Sequence, residues 1–342
     1  MQFSAIRYPS INTKLKAMYS KKLKYDDFLE LSKQPDSEKA LLFLKNKREE
    51  FKILSDNAER IEIETQLDKN LIKDIQKIQR LLPKKSQNSL KVFLSKYEIK
   101  CIKSVFRKLY SGSIINENLN NIKLWTENIF KRIDGINNVN DFEEFLYILR
   151  KTPYFKVFKN YQNEDLKKIN IFKVENELDT MCFKYLMKYA KKQNNSVLKD
   201  MIGSQIDLQN ITWIYRTKTY FNFSKEDIEK TLIGYFYKIN KKDISNLIDA
   251  NSYSEFEQVL RNTAYKKIVT DDPKLLEQFA EKYLYDKAKK YFREIMFNIN
   301  FVYAYIDMID AENNDIINII EGIRYNLKSE ELLKKLVIDI KI

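Results

Sequence analysis

Histidine does not occur in this chain of 342 residues. Its absence excludes Ser-His-Asp and Cys-His catalysis, histidine metal sites and a histidine pH switch. Cysteine is almost as scarce. Cys101 and Cys182 stand alone and far apart, so no zinc-ligand spacing exists. Two cysteines in so long a chain fit a reducing cytoplasm, where each reads as a small buried hydrophobe. Glycine and proline number five each, too few turn signals for a β-rich protein. No strand-length alternation recurs between turns, which argues against a sandwich or barrel. The isolated glycines form neither G-x-x-x-x-G-K-[ST] nor G-x-G-x-x-G, so there is no phosphate-cradling loop.

Long apolar runs are missing as well. The most apolar stretch, "FREIMFNINFVYAYIDMI", carries Arg293, Glu294, Asn298, Asn300 and Asp307, and is too polar to span a bilayer. The opening stretch, "MQFSAIRYPSINTKLKAMYSKK", is interrupted by polar residues and Pro9 and does not read as a signal peptide. The expectation is a soluble protein that reaches a membrane only through a partner.

What remains is rich in Lys, Glu, Leu, Ile, Asn, Asp and aromatics, and long enough for two or three domains around a large core. The expected class is all-α. Lysine and arginine number 61 against 48 acids, a net charge of +13. A basic surface suits nucleic acid, anionic lipid or an acidic partner. Here lysines dominate and are spread over the whole chain, and lysine is less specific than arginine for phosphate.

Helix signals are frequent. Ser224-Lys-Glu-Asp227 and Ser37-Glu-Lys-Ala-Leu read as N-capped helix starts. Residues 244–260 read as helix, polar turn, helix, and residues 116–133 carry apolar residues at helical spacing. Asparagine-rich joints such as "INNVND" and "KKQNN" mark loops.

The chain repeats itself. "NSLKVFLSKYEIKCIKSVFRKLY" matches "NSVLKDMIGSQIDLQNITWIYRTKTY" at an offset of 109, pairing Ser95 with Ser204, Glu98 with Asp207, Ile102 with Ile211, Val105 with Ile214 and Arg107 with Arg216. "FLYILRKTPY" then matches "FEQVLRNTAY" at an offset of 111, with the shared pattern F-x-x-[IV]-L-R-x-T-x-Y. Two motifs in one order at nearly one offset make the middle of the chain two copies of a helical unit. A third copy is split. "AENNDIINIIEGIRYNL" repeats the first motif, with Glu312 in the place of Asp207, Asp315 of Asn210, Ile316 of Ile211 and Ile319 of Ile214. A degenerate second half lies in residues 25–46, so the two ends are expected to meet. The units read as 1–87 with 305–342, then 88–194, then 195–304.

On a helix beginning near Asp207, Ile211, Ile214 and Lys218 lie roughly over the acid, while Arg216 points to the opposite face. Asp207 and Arg216 are therefore no intrahelical pair. Two readings of Asp207 stand open. Ser204-x-x-Asp207 and Ser95-x-x-Glu98 each fit a capping box. Alternatively, one longer helix starts near Asn195 and Asp207 is paired to a neighbouring helix. The arginines are solvated or partner-facing. Adjacent acids such as Asp26-Asp27 and Glu143-Glu144 diverge by about 100° on a helix and read as solvated rather than catalytic. Asp271-Asp272 before Pro273 reads as the turn that starts the next helix.

The run "AYIDMIDAENNDIINIIEGIRYNLKSEELLKKL" resembles the C-terminal signature of the C subunit of A/V-type ATP synthases, the family that includes the d subunit of the vacuolar ATPase. The matching features are alanine-tyrosine, the acids Asp310 and Glu312, a polar position held by Asp315 where asparagine is usual, and Gly322. "DLQNITWIYRTK" and "FEQVLRNTAYKKI" are similar to the same family's internal pattern. The likeness is clear from about Asn88 onward and weak before it. The lysine usual after Gly322 is Ile323, with Arg324 one position later.

This resemblance implies a funnel-like protein of three similar helical-bundle domains with pseudo-threefold symmetry. It implies a non-catalytic rotor subunit on the cytoplasmic face of a membrane, with the central-stalk subunits and the membrane rotor ring as partners. No catalytic, cofactor-binding or metal-ligating residue is expected. Arg107, Arg216, Lys218 and Arg324 are the candidates for partner contact. The alternative is a basic helical-repeat scaffold that binds nucleic acid, which requires basic residues along one groove with aromatics between them. A stand-alone enzyme requires converging carboxylates or tyrosines, which the sequence does not display.

Overall fold

The computed structural model describes residues 2–112, 119–221, 223–294 and 298–338, with side chains from residue 8 onward. Among these residues there are helices, turns and loops and no strand, so the expected all-α class holds. The first helices are α1 (Gln2–Tyr19), α2 (Tyr25–Ser32), α3 (Ser37–Lys47), α4 (Arg60–Leu81) and α5 (Lys84–Phe93). Next come α6 (Ser95–Ser111), α7 (Leu119–Asn128), α8 (Phe142–Leu149), α9 (Phe155–Phe158) and α10 (Ile171–Lys192). They are followed by α11 (Ser196–Tyr220), α12 (Lys225–Thr231), α13 (Lys241–Asp249), α14 (Tyr253–Arg261) and α15 (Leu276–Arg293). The last are α16 (Asn300–Arg324) and α17 (Ser329–Lys334).

Polar caps fix many of the starts. Ser224 Oγ accepts from the Asp227 N–H ahead of α12, as its spacing predicts. At α3 the cap is Asp36, which accepts from the Lys39 N–H at 2.7 Å, and Ser37 is the first helical residue. Asn240 and Ser252 cap α13 and α14, the expected helix-turn-helix. Asp272 and Pro273 open a short 3-10 turn that leads into α15. In the stretch 116–133 the helix covers only Leu119–Asn128, and residues 116–118 lie outside the described set.

Asn195 caps α11 through the Leu198 N–H at 2.9 Å. Of the two readings of Asp207, the longer helix is therefore the one that forms. Neither proposed capping box exists. Ser95 Oγ donates to the Val92 carbonyl at 2.8 Å, and the Ser204 hydroxyl, mid-helix and fully buried, accepts nothing from α11. Tertiary partners claim both acids instead.

The chain's two ends meet. α16 packs on α1, α2, α3 and α4, and α17 packs on α2. Ser32 Oγ and Ser329 Oγ are 2.7 Å apart, and the Tyr305 hydroxyl donates to Asp74 at 2.7 Å. The expected unit boundaries at 87/88 and 304/305 fall inside α5 and α16, while 194/195 falls on the turn before α11. One apolar core runs from Ile11 to Ile338, and a second, from Leu208 to Ala280, fills the space among α11–α15. Helices α11 and α15 belong to both, their residues dividing between the two cores, so each is anchored at both ends. No described helix is long and apolar enough to cross a membrane.

Candidate functional site

The two repeated motifs meet in space. Glu98 on α6 and Asp207 on α11 are both buried, at 2% and 0% exposure. The Tyr154 hydroxyl donates to Glu98 Oε2 at 2.7 Å, and the Tyr265 hydroxyl donates to Asp207 Oδ2 at 2.6 Å. Each tyrosine is the last letter of the second motif. The rest of that motif sets the tyrosine's position. Thr152 and Thr263 each donate a hydroxyl hydrogen bond to the carbonyl three residues back, of Leu149 and Leu260, at 2.8 Å. This closes the end of α8 or α14 and turns the chain so that the tyrosine points inward.

The remaining donors differ between copies. Glu98 receives both arms of the Arg132 guanidinium, Nε at 2.5 Å on Oε1 and Nη2 on Oε2. Asp207 receives three backbone N–H groups instead, from Tyr237 at 2.8 Å, Lys238 at 2.6 Å and Ile239 at 3.2 Å. Burial pushes the Asp207 carboxyl up, opposed by Tyr265 and those backbone donors. Asn210, one turn on, pairs with both backbone polar groups of Ile233, at 2.9 and 3.1 Å. Gly203 makes room for the same loop, because a Cβ there would sit 2.4 Å from the Tyr237 ring.

The similar motif on α16 uses both of its acids. Glu312 Oε1 accepts from the Leu23 N–H at 2.9 Å and Arg48 Nη1 at 3.1 Å. Burial raises its carboxyl, with Arg48 and Lys22 pulling the other way. Asp315, in the place of Asn210, accepts from the Val337 N–H at 3.0 Å and the Ile338 N–H at 2.9 Å. Burial lifts it to about 7, against the pull of those two backbone donors. All four acids thus pin a loop or a distant segment onto a long helix and are buried, and of their oxygens Glu312 Oε2 is left without a hydrogen-bond partner among the described residues.

The contact candidates are placed as follows. Arg107 forks onto Glu175 of α10, with Nη2 at 2.6 Å from Oε2, and its side chain is 60% exposed. Arg216 lies 3.3 Å from Glu277 of α15, 44% exposed, with its guanidinium over the Trp213 ring. Both point away from the apolar stripe. Lys218 Nζ donates to the carbonyls of Ile248 and Ala250 at the end of α13. Arg324 pairs with Glu321 at 2.6 Å and donates to the Ala58 carbonyl.

Sequence reasoning missed Tyr154, Tyr265 and Arg132 as partners of the acids. A signal existed for the tyrosines, since both motifs recur at nearly the same offset and must move together. None was read for Arg132, which lies outside both repeated motifs. Another missed cluster is Asp200, which accepts from Lys238 Nζ at 2.5 Å, Lys287 Nζ at 2.5 Å and the Tyr291 hydroxyl at 2.7 Å. Burial alone would raise Asp200, but these three donors outweigh it and hold the carboxyl down at about 2.

These features describe a helical scaffold whose repeated buried acids lock loops onto long helices. The chain matches the ATP synthase (C/AC39) subunit family over residues 11–335, nearly its whole length, and belongs to that family. It is similar to the C subunit of the A-type ATP synthase of Methanocaldococcus jannaschii, 24% identical over 306 residues, covering 84% of this chain and 74% of that protein. The same subunit from Methanosphaera stadtmanae is 20% identical over 324 residues, covering 91% and 82%. That of Thermococcus gammatolerans is 24% identical over 281 residues, covering 81% and 73%.

Proposed function

We propose that this chain is the non-catalytic coupling subunit of a rotary A/V-type ATP synthase or ATPase. It sits on the cytoplasmic mouth of the membrane rotor ring, receives the foot of the central stalk and carries torque between ATP turnover and proton or sodium movement. The observation that carries this reading is the family match across residues 11–335. The fold supports it physically. A coupler must resist twisting, and here continuous apolar packing joins the chain's ends to its middle. Partly buried ion pairs add to that, among them Lys96 to Asp307 at 2.5 Å between α6 and α16, and Lys103 to Asp179 at 2.5 Å between α6 and α10. The nucleic-acid reading has no support from the family and is dropped.

Three similar units around a pseudo-threefold axis are part of the same proposal, as is a concave face for the stalk and a base for the ring. Arg107, Arg216, Lys218 and Arg324 remain the contact candidates. Arg107 and Arg216 come first, because a half-exposed guanidinium held by one carboxylate can be shared with a partner's acid. The net charge of +13 then favours encounter with acidic surfaces or anionic lipid beside the ring. The deciding experiment is purification from detergent-solubilised membranes with a tag on this chain. A rotor-ring protein and a central-stalk protein should travel with it. If neither does under conditions that keep the complex whole, the reading fails.

A further inference from the structure

Where α4, α6, α7, α15 and α16 converge there is a cavity of about 400 Å³. That size lies within the usual range for small-ligand sites. Its wall carries four carboxylates, Glu64, Asp68, Glu281 and Asp310, but only two cations, Arg60 and Lys100. Arg60 is taken by Glu64 at 2.7 Å. On the wall itself Asp68, Glu281 and Asp310 are left with the ammonium of Lys100; Lys96, outside it, pairs with Asp307 and also acts on Asp310. Among the described residues none of these three closes an ion pair.

Burial shows in the titration of two of them, Asp68 and Glu281. Burial lifts Asp68 to about 6, against the pull of Lys100 and a hydrogen bond from Trp125. Burial also raises Glu281, with Glu277 and Asp310 adding to the rise. A carboxyl raised by burial is stabilised in its charged form by any cation brought beside it. A separate observation points the same way. Asn121 is only 8% exposed, sits on this wall, and its Oδ1 accepts no hydrogen bond. A buried acceptor left empty is costly, and a donor brought by a ligand removes that cost.

The shape of the site selects among cations. No group of three acids among the described residues is close enough to hold a metal ion. The negative charge is spread along the wall instead. Between the acids stand Tyr97 and Trp125, stacked at 4.9 Å, together with Ile122 and Ile317. The ring faces are covered by each other, by Phe130 on Trp125 and by Lys96 Nζ over Tyr97, so the wall offers apolar surface for methylenes rather than an open ring face.

We propose that this cavity binds a free aliphatic di- or polyammonium ion, with its N–H groups on Asp68, Asp310, Glu281 and Asn121 Oδ1 and its methylenes along the aromatic and aliphatic wall. The occupant bridges helices from the early, middle and late parts of the chain, so it stiffens the scaffold. The proposal goes beyond the coupling role and does not depend on it.

Isothermal titration calorimetry of the full purified chain with spermidine and putrescine, and with magnesium chloride as the charge control, tests it. One saturable site for spermidine is expected, with magnesium unable to displace it at equal concentration. Asp68→Asn and Asp310→Asn should each weaken binding about tenfold, as loss of one charge-assisted hydrogen bond does. Asn121→Asp, which adds a carboxylate to the wall, should tighten it. Ligand-free melting curves establish that each variant is folded. Absence of binding at millimolar spermidine, unchanged affinity in folded Asp68→Asn and Asp310→Asn variants, or displacement by equal magnesium overturns the proposal.

Discussion

The Tyr265 hydroxyl donates to Asp207 Oδ2 at 2.6 Å across 58 positions of chain. The same bond recurs between Tyr154 and Glu98, across 56 positions at 2.7 Å. Both pairs tie the segment after a short helix to a buried acid on a long helix. Burying a carboxylate is costly unless its lone pairs are filled. Four donors do so for Asp207, so removing one leaves three. Tyr265→Phe should therefore lower stability by about 1.5–3 kcal/mol, the range for a hydrogen bond to a charged group. Tyr154→Phe should cost about the same by that rule. Urea unfolding followed by circular dichroism measures both. A loss below about 0.5 kcal/mol, the low end for any net hydrogen bond, would show that the tyrosines do not hold these acids.

Gly322, one of the residues that carries the family resemblance, has a local physical reason. A Cβ there would lie 2.1 Å from Leu332 Cδ2 of α17. Leu332 is buried, so a side chain at 322 forces the Leu332 methyl out of its place between α16 and α17. Gly322→Ala should destabilise the fold by about 1–3 kcal/mol through overpacking. Pairing it with Leu332→Ala should recover part of that loss, since the two changes share one space. Thermal melts of the single and double variants check the coupling. Strictly additive losses would place the glycine's role elsewhere.

Much of this fold was legible in the sequence because the repeat exposes which positions matter. The apolar partners Ile102, Val105, Ile211 and Ile214 are buried as their spacing requires. The caps at Ser224 and Asp272 follow from short-range chemistry and hold. The capping boxes at Ser95 and Ser204 failed because local rules cannot see tertiary competition. Tyr154 lies 56 positions from Glu98, and Arg132 lies 34 positions away. Helical geometry placed Arg216 on the face opposite Asp207, and both arginines read as solvated or partner-facing, but their partners Glu175 and Glu277 lie on helices whose placement only the fold defines. The acidic cavity was invisible for the same reason: its five helices converge only in three dimensions.

Asp315 gives a pH dependence whose sign is set by the direction of its shift. Its folded value, about 7, lies above that of an ordinary aspartate because burial disfavours the charge. The folded state thus holds a proton that the unfolded chain releases. The resulting stability is complete below the unfolded pKa and is lost as pH rises toward and through about 7. Asp200, held at about 2, acts oppositely, and its contribution is lost only as pH falls from about 4 toward 2. Asp315→Asn keeps an acceptor for the Val337 and Ile338 N–H groups without the buried charge. It should flatten the stability slope between pH 5 and 8 and raise stability at pH 8 by on the order of 1–2 kcal/mol. Urea midpoints for parent and variant at both pH values decide this. A variant with an unchanged slope would assign the pH dependence to other groups.

Arg107 and Arg216 separate stability from assembly. Each forms an exposed ion pair with a glutamate of a neighbouring helix, and such pairs contribute about 0–1 kcal/mol. The double change Arg107→Gln with Arg216→Gln should therefore leave the urea midpoint nearly unmoved. If the guanidinium groups face a partner in the rotor, the same change should weaken co-purification with the stalk and ring proteins. Rising salt should weaken the parent complex toward the variant's level. Glu175→Gln with Glu277→Gln provides the counterpart. It releases both guanidinium groups while leaving their charge in place, so assembly should persist or strengthen. A double-arginine variant that assembles as well as the parent at low and high salt would remove both residues from the contact surface.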